Sequence, residues 1–172
     1  MKTAERTPFA YRTIGIIRTP HRDSTHTPYQ PTTASSHEYE CFIELAETYL
    51  PALARLEEFK YIYVIYHMDR LHRSVEMTVI PPWANRIQVG LFASRTPLRP
   101  NPIGLSIVQL REIRSNRIYT SNLDVFDGTP LLDIKPYIRD LDSKTEANCG
   151  WIDDLPDRDH LTLHIRGIPH DY

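Results

Sequence analysis

A chain of 172 residues, 41% hydrophobic and 24% charged with a formal net charge of −2, has enough material for one domain with a core of its own. No apolar run approaches the ~18 residues of a membrane span, and the opening MKTAERTPFAYR lacks the apolar stretch of a secretory signal. Two cysteines, Cys41 and Cys149, are too few for a disulfide framework and are expected as reduced, packed thiols of a cytoplasmic protein.

In chain order, Tyr11–Arg18 (YRTIGIIR) is β-branched and stopped by Thr19-Pro20, a strand. His21–Ser36 is polar, carries Pro28 and Pro31, and is a long loop. His37–Leu45 opens as a second strand. Leu53, Leu56 and Phe59, with Glu57 and Glu58 between them, predict a short amphipathic helix over Thr48–Phe59. Tyr61–Tyr66 (YIYVIY) is a nearly continuous run of β-formers, hence a buried strand. Further strands are expected at Val75–Ile80, Ile87–Ala93, Ile103–Ile113, Ile118–Val125, Leu131–Ile134 and Leu161–Ile165, with Asn116 turning between two of them. Many short strands and few helices predict a mainly β fold, a barrel or sandwich with a peripheral helix. The acidic stretch Ser143–Asp159 is expected to wrap that body before the last strand.

Charge is distributed unevenly. From Arg70 to Ile118 eight arginines face only Glu76 and Glu112, whereas from Tyr119 to Asp159 ten acids face Lys135, Arg139, Lys144 and Arg158. The basic middle is either a face for nucleic acid or a scatter of solvated arginines. Arginine outnumbers lysine sixteen to four, and a planar guanidinium recognises phosphate or carboxylate bidentately.

Several chemistries are excluded by what is missing. The six glycines form no G-x-G-x-x-G and no P-loop, and there is no CxxC or HExxH. His67 and His72 lack an acid in the metalloprotease position, so no metal site is expected, and Ser94 and Ser106 lack the setting of a hydrolase nucleophile. What remains is the loop Phe92–Gly104 (FASRTPLRPNPIG). Pro97, Pro100 and Pro102 hold it extended at low entropy cost and present Arg95, Arg99 and Asn101 in fixed positions. It is either a preorganised ligand wall or a stiff turn between strands. In Asp124–Tyr137 (DVFDGTPLLDIKPY), Asp127-Gly128-Thr129-Pro130 is a turn signal, and the segment is either a turn alone or one that sets Asp124 or Asp127 to accept hydrogen bonds from a ligand. In Thr27–Pro31, Tyr29 suits stacking on a planar group and Gln30 suits hydrogen bonding to it.

These segments together resemble the TsaA-like family, also called TrmO. Gly90–Gly104 (GLFASRTPLRPNPIG) and Asp127–Tyr137 (DGTPLLDIKPY) match its two long motifs, Ile14–Pro20 (IGIIRTP) its opening, and Pro28–Pro31 its P-x-Q-P. The resemblance runs from about Tyr11 to Tyr137, the core of a single domain spanning 1–172 whose tail is 138–172. It implies a small antiparallel β-barrel with one or two short peripheral helices, and a homodimer. It also implies S-adenosyl-L-methionine as cofactor and N6-methylation of N6-threonylcarbamoyladenosine in the anticodon loop of a tRNA.

Carried over by position, the resemblance assigns the cofactor to Pro28, Tyr29, Gln30, His67, Met68, Arg95, Leu105, Ser121, Asn122, Leu123 and Asp124. Arg73, Arg86 and Arg99 are expected to meet tRNA phosphates, and His67 and Asp124 are the candidate proton acceptors. Tyr29 stands where many bacterial members have a basic residue. Longer members also carry a C-terminal extension domain that a chain ending at Tyr172 has no room for. Two other activities fit the residues: methylation of a small molecule, and a non-catalytic module that binds the cofactor or RNA.

Overall fold

The computed structural model describes residues 10–23, 27, 31, 41–71, 74–84, 86–156 and 158–166. Its strands are β1 (Gly15–Arg18), β2 (Phe42–Leu45), β3 (Tyr61–His67), β4 (Thr78–Val79), β5 (Val89–Gly90), β6 (Ile103–Arg114), β7 (Arg117–Thr120) and β8 (Thr129–Pro136). Six of them close a barrel in the order β1-β2-β7-β6-β3-β8, each neighbour antiparallel, while β4 and β5 form a separate pair. Closure leaves those six strands without a free edge.

Period-two alternation builds this frame. On β3, Ile62, Val64 and Tyr66 are buried while Tyr61, Tyr63, Ile65 and His67 face outward, half-buried. On β6, Gly104, Ser106, Val108 and Leu110 point inward, opposite exposed Ile103, Leu105 and Ile107. With Ile17, Ile43, Ile118 and Leu131 these inward residues fill the barrel. Each large aliphatic side chain removed from water contributes about 1.5–3 kcal/mol. The β6–β7 turn is made by Ser115, at φ 53°, and Asn116, whose side chain and carbonyl both bond to Leu45 (3.1 and 2.8 Å). The turn expected at Asn116 is therefore present and tied to a third strand.

The structure departs from the sequence expectations where short apolar runs serve two patterns. The helix expected over 48–59 is two 3-10 helices, Glu47–Leu53 and Leu56–Glu58. Pro51 inside the first lacks an N–H, and Arg55 between them takes a left-handed φ of 69°. The strand expected over 87–93 pairs only at β5 and then tightens into a 3-10 helix, Leu91–Ala93, and that over 75–80 pairs only at β4. The strand expected over 118–125 ends at Thr120, although Leu123 and Val125 stay buried. The last expected strand, 161–165, lies inside an α-helix. Helix α1 (Arg139–Asp142) is one turn, and α2 (Asp159–Arg166) carries Leu161 and Ile165 four apart on one face and Asp159 in its first turn, where the helix dipole favours an acid. The tail therefore ends in a helix and not in a further barrel strand. The packing expected of both cysteines holds for Cys41, which is buried; Cys149 is exposed.

Candidate functional site

The two sequence motifs meet at one end of the barrel. β3 ends at His67, which pairs with Ile103 at the start of β6. The next residue, Met68, donates its N–H to the carbonyl of Pro102 (2.8 Å), so the proline-rich loop is pinned to His67 and Met68. Tyr66 pairs across from Gly104, and a Cβ at Gly104 would stand 2.0 Å from its ring. Glycine at that position leaves the space in which the Tyr66 ring lies.

From there the Tyr66 hydroxyl reaches Ser106 Oγ at 3.1 Å, and Ser106 Oγ–H donates to Asp124 Oδ1 at 2.9 Å. Ser106 has one proton and gives it to Asp124, so Tyr66 must donate to Ser106. Tyr66 and Ser106 are buried, at 5% and 3% exposure, and Asp124 is half-buried. Burial pushes the Asp124 carboxyl above the usual carboxylate range, an effect the Ser106 hydrogen bond partly offsets. Burial and the neighbouring Asp124 likewise hold the Tyr66 phenol above its ordinary value, so it remains a donor.

The loop over residues 92–104 is braced from within and from outside. Arg99 donates to the Ser94 carbonyl (3.0 Å) and lies 5.6 Å over the Phe92 ring. Ser94 Oγ returns a bond to the Leu91 carbonyl (2.9 Å). From the tail, in the 3-10 helix Gly150–Asp154, Trp151 stacks on Trp83 at 5.4 Å and donates its indole N–H to the Ala93 carbonyl (2.9 Å). Arg95 is exposed and makes no hydrogen bond or ion pair among the described residues. The two loop arginines thus differ: Arg99 closes the loop, and Arg95 is available to a ligand. Arg86 is exposed at a φ of 67°, four residues before Gly90 at the end of β5.

The second motif separates its two acids. Asp127 accepts the Thr19 N–H (3.4 Å) and lies 3.8 Å from Arg18, while Arg70 donates to its carbonyl. Gly128 follows at φ 85°, so Asp127 shapes a turn. Asp124 is the acid turned toward the barrel interior. Within residues 121–124, Ser121 Oγ accepts the Gln109 N–H (3.0 Å) and Leu123 is fully buried, which leaves Asn122 and Asp124 partly open. Leu105, 61% exposed, stands on the outer face of β6, opposite to Ser106.

The expected site residues His67, Met68 and Asp124 are therefore gathered around residues 102–106, with Leu105 and His67 outside and the Asp124 network inside, where the two faces meet at the barrel rim. Pro28, Tyr29, Gln30 and Arg73 lie outside the described residues. Tyr66 and Ser106 were not singled out for the site from sequence. Their signal is parity: Ser106 shares the inward register of Gly104 and Val108, which places a hydroxyl in an otherwise apolar row. Among the described residues no three His, Cys, Asp or Glu side chains are grouped to hold a metal ion, and no helix is long and apolar enough to cross a membrane.

The family model for the tRNA-methyltransferase O N-terminal domain matches residues 16–143. A protein of Pyrococcus abyssi named "Probable S-adenosyl-L-methionine-binding protein" is 37% identical over 143 residues, 83% of this chain and 76% of its own length. The Escherichia coli tRNA (adenine(37)-N6)-methyltransferase is 31% identical over 157 residues, covering 86% of this chain and 66% of that enzyme. A crystal structure of TrmO superposes with a TM-score of 0.69 at 29% identity, over 84% of this chain and 64% of that one. The chain thus spans just under two thirds of the last two proteins. Matched by the family model over most of its barrel, the chain belongs to the TrmO family.

Proposed function

We propose that this chain is an S-adenosyl-L-methionine-dependent methyltransferase that methylates the N6 nitrogen of a tRNA adenosine, in its finer form N6-threonylcarbamoyladenosine of the anticodon loop. The observation that carries the reading is the meeting of both family motifs at one barrel rim: the Met68 to Pro102 bond joins one to β3, and the Ser106 to Asp124 bond joins β6 to the segment leading into the other. The E. coli relative bears the name of this activity.

The side chains present suit the cofactor. Its carboxylate calls for a cation, which exposed Arg95 provides; its apolar portions call for surfaces such as Met68 and Leu105; its amine and hydroxyls call for acceptors such as Asn122. Pro28, Tyr29 and Gln30 are assigned to the same pocket. When bound, the cofactor supplies an electrophilic methyl group on a positively charged sulfur. The protein's part is alignment: the proline-stiffened, Arg99-braced loop holds Arg95 and the start of β6 in place, so that little ordering entropy remains to be lost on binding. Arg73 and Arg86 are the contacts for tRNA phosphates, and Arg99 serves the loop's shape. A homodimer is supported by the row of exposed Ile103, Leu105 and Ile107 along β6, an apolar stripe that a second copy can cover. A tRNA substrate is consistent with residence in the cytoplasm.

The test is transfer of isotope-labelled methyl from S-adenosyl-L-methionine to unfractionated tRNA. The reading expects label in tRNA; label confined to small molecules, or cofactor binding without transfer, overturns it.

A further inference from the structure

The methylated nitrogen is a poor nucleophile while it keeps its proton, because its lone pair is delocalised into both the purine and the carbamoyl group. A proton acceptor is therefore needed. His67 stands on the outward register of β3, paired with Ile103, and no hydrogen bond among the described residues fixes its ring. Asp124 is held differently. Its Oδ1 accepts from Ser106 at 2.9 Å, and Ser106 is itself set by Tyr66 at 3.1 Å. Tyr66 is in turn packed against Gly104. Each of these side chains is oriented by the next, ending in a ring packed against the paired strand at Gly104.

We infer that Tyr66 and Ser106 are positioning residues that hold Asp124 as the proton acceptor for the methylated nitrogen. This rests on the methyltransferase reading above. In the step, the nitrogen's N–H bond breaks and its proton passes to the Asp124 carboxylate. The N–CH3 bond forms as the S–CH3 bond breaks, and that electron pair leaves with sulfur, which becomes a neutral thioether. One Asp124 oxygen stays on Ser106 and the other takes the proton, so the hydroxyl chain stabilises the charged form that burial disfavours.

Among the described residues, the charge of Asp124 acts on the titratable Tyr66 of β3, Ser106 on β6 is its donor, and Asp127 on the same segment is engaged by Arg18. His67, one residue along β3, faces outward.

The experiment measures single-turnover methyl transfer to tRNA against pH, and S-adenosyl-L-methionine affinity by calorimetry, for the wild type, D124N, S106A and Y66F. D124N is expected to lose about a hundredfold or more in transfer rate, the usual contribution of a general base, while binding the cofactor within a few-fold of wild type. Removing the Ser106 donor raises the pKa of Asp124, so the acidic limb of the S106A profile moves to higher pH. A shift of one unit costs about tenfold below that limb, and the rate recovers as pH rises. Y66F, which keeps the ring over Gly104, shifts the limb the same way by less. If S106A and Y66F lower the rate equally at every pH, they act only through the fold and the inference is overturned. A D124N rate near wild type overturns it too, as does a D124N loss that follows lost cofactor binding. A wild type that binds cofactor but methylates no tRNA overturns the functional reading and the inference together. A wild type that methylates beside unmoved variant profiles overturns the inference alone.

Discussion

A methyl group at position 104 would stand 2.0 Å from Cε2 of Tyr66, and the ring has nowhere to go: it is 5% exposed and tethered through its hydroxyl to Ser106. Gly104→Ala is therefore expected to destabilise by about 1–3 kcal/mol or more, as overpacking does, read as a lower urea midpoint. Adding Tyr66→Leu should return part of that loss, because the clash partner shrinks. Asp124 gives a prediction of opposite sign. Its folded pKa is raised by burial, so the folded state binds more protons than the unfolded one as pH rises out of the ordinary carboxylate range. The destabilising effect of the buried charge is absent below the unfolded pKa and complete above the raised folded value. Asp124→Asn should thus melt at a higher temperature than wild type near neutrality, with the difference shrinking in acid. A difference independent of pH would contradict the assignment. At this scale turn chemistry alone left Asp124 and Asp127 equivalent, and only the resemblance favoured Asp124. What separates them is a three-dimensional fact, that Arg18, Thr19 and Arg70 all converge on Asp127.

At the scale of elements, β6 serves two purposes, with an inward row that builds the core and the Asp124 network and an outward row whose first three members, Ile103, Leu105 and Ile107, are apolar and exposed. Ile107, 45% exposed, is outside the cofactor assignments. Ile107→Lys should convert the proposed dimer into a folded monomer in sedimentation velocity, and a persistent dimer would place the interface elsewhere. The tail acts on the loop through Trp151. Trp151→Ala removes an aromatic stack, worth about 1 kcal/mol, together with the donor to Ala93. Faster amide exchange over residues 91–104, with β3 unchanged, is the expected result. The strand β3 was legible in the sequence as a nearly continuous run of β-formers, and β6 and the turn at Asn116 as two apolar segments parted by a turn residue. Residues 161–165 were not, since five residues satisfy both periods, and the outcome depended on Asp159 starting a helix. The 3-10 helix around Pro51 was also illegible, because apolar spacing marks a buried face without stating how tightly the backbone winds.

For the whole molecule, a barrel was foreseeable from strand number and length, but its closure through β1 and β8 depends on pairing between residues more than 100 apart, which no local pattern encodes. The site was legible mainly through resemblance. Composition made residues 92–104 a stiff, arginine-bearing loop, and the motifs linked it to a cofactor. The resemblance already assigned Arg95 and Arg99 to different partners; the bond by which Arg99 closes the loop on the Ser94 carbonyl emerged only with the fold. The central claim is that this barrel rim methylates tRNA at the N6 nitrogen of one modified adenosine. Mass spectrometry of nucleosides, from tRNA incubated with the protein and methyl-labelled S-adenosyl-L-methionine, tests it most directly. The account predicts one labelled methyl on N6-threonylcarbamoyladenosine, lost when Asp124→Asn replaces the wild type; label on another nucleoside, or on none, would contradict it.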